Sequence, residues 1–159
     1  MTSLPSLGPR GEGWVVLQFA LLLLVALAGL VNGGAWAGPF ATFTSLAGLA
    51  LMLAGAFLLG RGLLDLGRAL TPVPRPRDDA ELVESGAYAT VRHPIYGGLI
   101  VTAFGWGLAA ASPLALLLTL VLAGFFELKS RREEAWLAER YADYRAYMSR
   151  TRRFIPGIY

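Results

Sequence analysis

The chain has 159 residues, of which 55% are hydrophobic, and 14 basic residues against 11 acidic ones give a net charge of +3. So apolar a composition is hard to reconcile with an ordinary soluble domain, because the apolar side chains must face something other than water. With no cysteine and one histidine, we expect no disulfide, thiol nucleophile or metal site. The small charge excess gives no nucleic-acid signal, and membrane lipids are the expected partner of the basic residues.

The apolar residues form four blocks, at 14–31, 41–60, 95–111 and 114–126, and no charged side chain interrupts them. We therefore predict an all-α integral membrane bundle of four transmembrane helices, built as a single domain over 1–159. At about 1.5 Å per residue, the first two blocks are long enough to cross a hydrocarbon core of about 30 Å. The third is borderline, and the fourth is too short to span unless it recruits Glu127 and Leu128 or meets locally thinned lipid, so we expect the fourth membrane helix at 114–128.

The third and fourth blocks are separated by Ala111-Ser112-Pro113. So short a connection allows only a tight turn and predicts an antiparallel hairpin. Ala103, Gly107 and Ala111 recur at every fourth position, where small side chains let another helix approach closely.

The basic residues predict the orientation in the membrane. Thirteen of the fourteen lie in residues 61–94 and 127–159, and none lies in the two short turns at 32–40 and 112–113. Since positive residues are retained on the cytoplasmic side, we expect both termini to be cytoplasmic, in a plasma or inner membrane.

The two basic segments also carry the polar and aromatic residues, mainly in 71–98 and 129–158. In the first, residues 61–70 suggest an amphipathic extension along the membrane surface, and prolines at 72, 74 and 76 favour an extended path after it. In the second, we expect a charge run at 131–134 to be followed by a C-terminal amphipathic helix. That helix would carry an apolar and aromatic stripe, formed by Leu137, Tyr141, Tyr144 and Met148.

Each of these features, taken alone, can be explained without a ligand site. The charge run at 131–134 is compatible with a solvated helix end, the stripe with a packing face, and His93 with a residue that begins a helix. Their combination nevertheless resembles two signatures of the isoprenylcysteine carboxyl methyltransferase and phospholipid methyltransferase family. The first signature is Thr71-Pro72-Val73-Pro74, residues 82–88 and Arg92-His93-Pro94-Ile95-Tyr96-Gly97-Gly98. The second is Glu133-Glu134, Leu137, Tyr144, Tyr147 and Arg153-Phe154-Ile155-Pro156.

The resemblance covers about residues 71–158 and implies a membrane-embedded S-adenosylmethionine site with a lipophilic or lipid-modified acceptor. The cofactor needs an acid for its ammonium, a base for its carboxylate, and electron-rich walls for its sulfonium. We therefore expect Glu133 or Glu134 to hold the ammonium and Arg92 or Arg132 the carboxylate, and we take Glu133, Glu134 and Arg92 as the candidate catalytic residues. The other expected cofactor contacts are Tyr88, His93, Pro94, Tyr96, Gly97, Gly98 and Tyr144, the glycines because they permit close backbone approach.

The acceptor stays open between a carboxylate, which is already ionised near neutral pH, and an amine, which would need a glutamate or His93 as base. Two other functions also fit parts of the pattern. Membrane reductases of the sterol-reductase type resemble the C-terminal half and would use NADPH, but they usually carry more than four helices. A non-enzymatic membrane scaffold would leave the polar residues as helix-boundary groups, although polar groups at membrane depth tend to mark function.

Overall fold

A computed structural model describes residues 5, 7–71, 73, 75 and 81–159, so the prolines at 72, 74 and 76, for which an extended path is expected, lie outside the described residues. Within this part the chain is all-helical, as predicted, and its only β-pairing is an isolated bridge between Val91 and Arg152. The described α-helices are α1 (Glu12–Val31), α2 (Gly38–Leu66), α3 (Pro94–Ala109), α4 (Pro113–Arg140) and α5 (Tyr144–Arg150). Two 3-10 turns, Gly67–Ala69 and Gly86–Ala89, lie between α2 and α3.

Three of these helices are long and apolar enough to cross a membrane, namely α1, α4 and α2 together with its 3-10 extension. Helix α3 has 16 residues, which corresponds to about 24 Å. It lies between α2 and α4 and contacts both. The structure therefore supports three spans by length, and the fourth span stays a prediction.

The fourth apolar block was expected to be too short to cross a membrane, but it belongs to helix α4, which is long enough. The helix does not end at Leu128 but continues without a break through the charge run to Arg140, for a total of 28 residues. Charged side chains do not stop a helix when other parts of the chain satisfy them, and Glu134 is a buried example.

The expected C-terminal amphipathic helix is also different in the structure. Helix α4 ends at Arg140, and α5 begins after a break at residues 141–143 and has only seven residues. Leu137 therefore belongs to α4, whereas Tyr144 and Met148 belong to α5. The four residues do not form the stripe of one helix.

The residues expected to lie along the membrane surface, 61–70, instead continue α2 to Leu66 and form the following 3-10 turn. Leu63, Leu66 and Leu70 line an internal cavity. This end of α2 therefore forms a wall of the bundle.

Small residues determine how α2 packs on α3. Gly48, Gly55 and Gly62 recur at every seventh position of α2, and all three are buried. A Cβ on Gly55 would lie 2.7 Å from the carbonyl oxygen of Gly98, and one on Gly62 would meet Pro94. The two backbones are therefore in direct contact, as is typical of small residues at membrane helix interfaces.

The predicted hairpin between α3 and α4 is present. Ser112 caps α4 by accepting a hydrogen bond from the amide of Ala115 at 3.2 Å, and it donates to the carbonyl of Ala28 in α1 at 3.1 Å. Gly107 faces Leu116 of α4, which agrees with the predicted close packing of the small-residue row. This turn therefore joins α1, α3 and α4 at the end of the bundle opposite the basic residues.

Candidate active site

A cavity of about 330 Å³ lies at the basic end of the bundle, where α3 begins and α4 approaches its end. This volume is within the range of small-molecule sites. Helices α1 to α5 and the segment before α3 all contribute to its lining. Six of the predicted site residues line it, namely Tyr88, Arg92, His93, Tyr96, Glu133 and Tyr144.

The start of α3 presents a stack of rings to the cavity. Pro94 occupies the first turn, where its fixed φ suits a helix start. The ring of His93 stacks on that of Tyr96 with centroids 5.3 Å apart, and Tyr96 stacks on Phe126 of α4 at 4.7 Å. Because both rings are packed, the positions of His93 and Tyr96 are fixed by the hydrophobic core.

Glu134 is the centre of a buried ion-pair network. Its Oε1 accepts hydrogen bonds from Arg92 Nε at 2.8 Å and from His93 Nε2 at 3.2 Å. Its Oε2 accepts from Arg153 Nη2 at 2.9 Å, and Arg153 also pairs with Glu127, which lies about two turns earlier on the same face of α4. Glu134 is 5% exposed and does not line the cavity. The network joins α3, α4 and the C-terminal segment.

Arg92 connects this network to the C-terminal segment. Its Nη1 donates to the carbonyl oxygens of Thr151 at 2.6 Å and Met148 at 3.1 Å. The backbone amides of Arg92 and His93 donate to the carbonyls of Arg152 and Arg153. Most of the donors of Arg92 are thus committed to the protein itself, although the side chain borders the cavity.

Glu133 has different surroundings from its neighbour. Its side chain is 25% exposed and lines the cavity, and its Oε2 accepts a hydrogen bond of 2.8 Å from the hydroxyl of Tyr96. His93 Nδ1 lies 3.9 Å from the same oxygen. Of the two adjacent glutamates, Glu133 is the one that presents its carboxylate to the cavity.

Three buried tyrosines, Tyr88, Tyr144 and Tyr147, also line the cavity. Tyr88 and Tyr144 are 7% and 1% exposed, and the hydroxyl of Tyr147 donates to the carbonyl of Tyr88 at 2.7 Å. Burial raises the pKa of Tyr88, Tyr144 and Tyr147 above the usual value for a phenol. All three therefore remain neutral near pH 7 and offer ring faces and hydroxyl groups.

Several predicted site residues lie outside the cavity lining, among them Pro94, Gly97, Gly98 and Arg132. The close backbone approaches at Gly97 and Gly98 are to the chain itself, because a Cβ on Gly97 would overlap the carbonyl of Phe154 and one on Gly98 would meet α2. The guanidinium of Arg132 lies over the ring of Trp136, 4.2 Å from its centroid.

The sequence analysis did not predict several polar residues that line the cavity, among them Gln18, Glu81 and Lys129. Gln18 of α1 and Lys129 of α4 both contribute to the lining, and Lys129 Nζ donates to Gln18 Oε1 at 2.5 Å. Signals for both exist in the sequence. Gln18 is the single polar side chain of the block 14–31, and Lys129 is the single lysine of the chain.

The fold and the cavity define a helical membrane protein with a polar site at one end of the bundle. Residues 43–144 match the family model described as phospholipid methyltransferase. The chain belongs to this family, which the sequence resemblance predicted. The matched part includes α2, α3, α4 and the start of the C-terminal region.

Curated relatives agree with the family. The chain is 30% identical over 120 residues to a probable protein-S-isoprenylcysteine O-methyltransferase of Oryza sativa subsp. indica, a match that covers 73% of this chain and 63% of the relative. It is 31% identical over 114 residues to the protein-S-isoprenylcysteine O-methyltransferase of Schizosaccharomyces pombe, covering 69% of this chain and 48% of the relative. The chain thus spans less than two thirds of the length of these relatives.

Proposed function

We propose that this protein transfers a methyl group from S-adenosylmethionine to a lipophilic acceptor at the cytoplasmic face of the membrane. The acceptor is an isoprenylcysteine-like carboxylate or a phospholipid-type amine. Besides the family, the observation that carries the proposal is the carboxylate of Glu133, which faces a tyrosine-walled cavity at the edge of the apolar bundle.

Residues of the cavity fit the ammonium group and the sulfonium of the cofactor. Glu133 offers a carboxylate to its ammonium group, and charge-assisted hydrogen bonds of this kind are among the stronger ones in proteins. Tyr88 and Tyr144 offer electron-rich faces that attract a sulfonium cation. His93 Nδ1 and the hydroxyl of Tyr96 lie beside Glu133, within reach of the same ligand group.

We assign different parts to the three candidate catalytic residues. Glu133 would contact the cofactor directly. Arg92 and Glu134 would act as positioning residues, because their hydrogen bonds hold His93 and the C-terminal segment in place.

For methyl transfer, the main task of the protein is to hold the two reactants in the correct orientation. When bound, S-adenosylmethionine supplies an electrophilic methyl group, and the electron pair of the broken carbon–sulfur bond stays on sulfur. The tyrosine wall excludes water and aligns the two reactants, which is a large source of rate acceleration in such displacements. A carboxylate acceptor needs no base, whereas an amine acceptor would require Glu133 or His93 to take its proton.

Calorimetric titration of the purified protein in detergent with S-adenosylhomocysteine and with NADPH tests the proposal. We expect S-adenosylhomocysteine to bind and NADPH to give no heat. Binding of NADPH alone would indicate a reductase. If neither ligand bound, the scaffold interpretation would replace the enzyme.

A further inference from the structure

Lys129 is a buried cation that the proposed reaction leaves unused. The residue is 1% exposed, although it lies on the long membrane-spanning helix α4. Its ammonium group forms one hydrogen bond, to the neutral amide of Gln18, and lies 4.9 Å from the ring centroid of Tyr96. Among the described residues it forms no ion pair within 4 Å. Glu133, one helical turn further along α4, attracts it electrostatically, but the carboxylate of Glu133 accepts its hydrogen bond from Tyr96.

This arrangement is costly for the folded protein. A buried charge without a counter-charge in direct contact loses its hydration and gains too little in return. An amide oxygen and a ring face compensate for only part of the loss, and charged groups at membrane depth tend to mark functional sites. Because Lys129 lines the cavity, a negatively charged ligand group placed there would form the direct ion pair that Lys129 lacks.

The position of Lys129 indicates which ligand brings that group. Lys129 precedes Glu133 by one helical turn and is therefore nearer to the apolar middle of α4, beside the buried ring of Phe126. The same cavity is also lined by leucines of α2, Leu63 and Leu66. A lipophilic molecule reaches this end of the cavity more readily than a polar cofactor does.

We propose that Lys129, held by Gln18, binds the negatively charged group of the methyl acceptor and selects a lipid-linked carboxylate over an amine. This inference rests on the proposed function and makes it more specific. Methyl transfer to a carboxylate gives a neutral ester, so the ammonium group loses its partner after the reaction. The ion pair therefore favours binding of the substrate over binding of the product.

Binding measurements with defined probes test the assignment. N-acetyl-S-farnesylcysteine carries the carboxylate, its carboxamide is the neutral analogue, and phosphatidylethanolamine carries an amine and a phosphate. For the wild-type protein in detergent we expect the acid to bind at least about tenfold more tightly than the carboxamide, as befits a hydrogen bond to a charged group. In Lys129→Gln this preference should disappear, while affinities for the carboxamide and for S-adenosylhomocysteine change less than twofold.

Arg131→Gln is the matched control, because it removes one positive charge from an exposed position two residues away on the same helix. We expect it to leave the preference for the acid intact. An equal loss of preference in both variants would show a general charge effect and overturn the assignment to Lys129.

A measurement on the unmodified protein avoids the risk that Lys129→Gln fails to fold. Since Lys129 is the single lysine, protein labelled with 13Cε-lysine gives one side-chain signal. We expect the acid to shift this signal and the carboxamide to leave it in place.

The remaining outcomes separate the possible sources of the anion. If Lys129→Gln lost S-adenosylhomocysteine and kept the acid, the lysine would serve the cofactor, and the inference would be wrong. Lysine-dependent binding of phosphatidylethanolamine would indicate a lipid phosphate instead of a carboxylate. If the wild-type protein bound the acid through Lys129 but did not bind S-adenosylhomocysteine, the inference would stand and the methyltransferase proposal would fail.

Discussion

Glu133 and Glu134 are adjacent in sequence but meet different surroundings, because neighbours on a helix point about 100° apart. Glu134 receives its hydrogen bonds from Arg92, His93 and Arg153, and its side chain is 6% exposed. Glu133 borders the cavity. One glutamate thus belongs to the interior of the protein and the other to the proposed ligand site.

We expect Glu134→Gln to lower the free energy of unfolding by about 3 kcal/mol or more, because loss of one partner leaves buried arginines without their counter-charge.

Glu133→Gln should leave stability nearly unchanged and weaken S-adenosylhomocysteine binding by about tenfold or more. Thermal unfolding in detergent and calorimetry measure the two effects separately. Glu139→Gln, at an exposed position of the same helix, should alter neither. A loss of ligand affinity in folded Glu134→Gln with none in Glu133→Gln would reverse the two roles.

At this scale the sequence predicted that the two glutamates differ, but not which one faces the ligand. The partners of Glu134 come from α3 and from the C-terminal segment, 42 and 19 residues away along the chain. A sequence pattern within one helix does not indicate contacts with residues so far away along the chain. Lys129 escaped notice for a related reason, because a cation next to a charge run normally faces solvent, and only the packing of α1 on α4 shows that it is buried.

At the scale of elements, the apolar blocks predicted where helices lie but not where α4 ends. The sequence predicts that the fourth membrane helix ends at Leu128, whereas α4 continues for 12 more residues to Arg140. It continues because the C-terminal segment folds back and supplies Arg153 to Glu127 and Glu134. If a membrane helix is predicted only from its apolar residues, its length is therefore underestimated wherever another segment pairs with the charged residues that follow.

The same C-terminal segment depends on Gly97, which lies where α3 meets Phe154. A methyl group at Gly97 would overlap the carbonyl of Phe154. We expect Gly97→Ala to displace the segment and to increase tryptic cleavage after Arg150 and Arg152. Limited proteolysis in detergent followed by mass spectrometry measures this change.

Gly124 of α4 is the control for this substitution, since a Cβ there would meet no atom within 4 Å. Gly124→Ala should be neutral or stabilise the protein by up to about 1 kcal/mol, the difference in helix propensity. If Gly97→Ala were cleaved no faster than the Gly124→Ala control, the segment would not depend on this contact.

At the scale of the whole molecule, the helices form a bundle with two unlike ends. The turns at residues 32–37 and 110–112 are joined by hydrogen bonds from the amides of Gly34 and Ala35 to the carbonyls of Ala110 and Ala111, and they carry no charged side chain. The opposite end holds the start of α1, the start of α3 and the end of α4, together with the cavity and the ion-pair network. The site and nearly all charges thus share one end.

This asymmetry predicts that the cavity opens to the cytoplasm and that both termini lie there, because basic residues are retained on that side. The chain contains no cysteine, so single cysteines can be introduced without background. Asn32 and Ser149 are exposed positions at opposite ends of the bundle. In intact cells, a membrane-impermeant maleimide should label Asn32→Cys and should reach Ser149→Cys only after the membrane is permeabilised. External labelling of Ser149→Cys together with protection of Asn32→Cys would invert the orientation and place the proposed methyl transfer on the other face of the membrane.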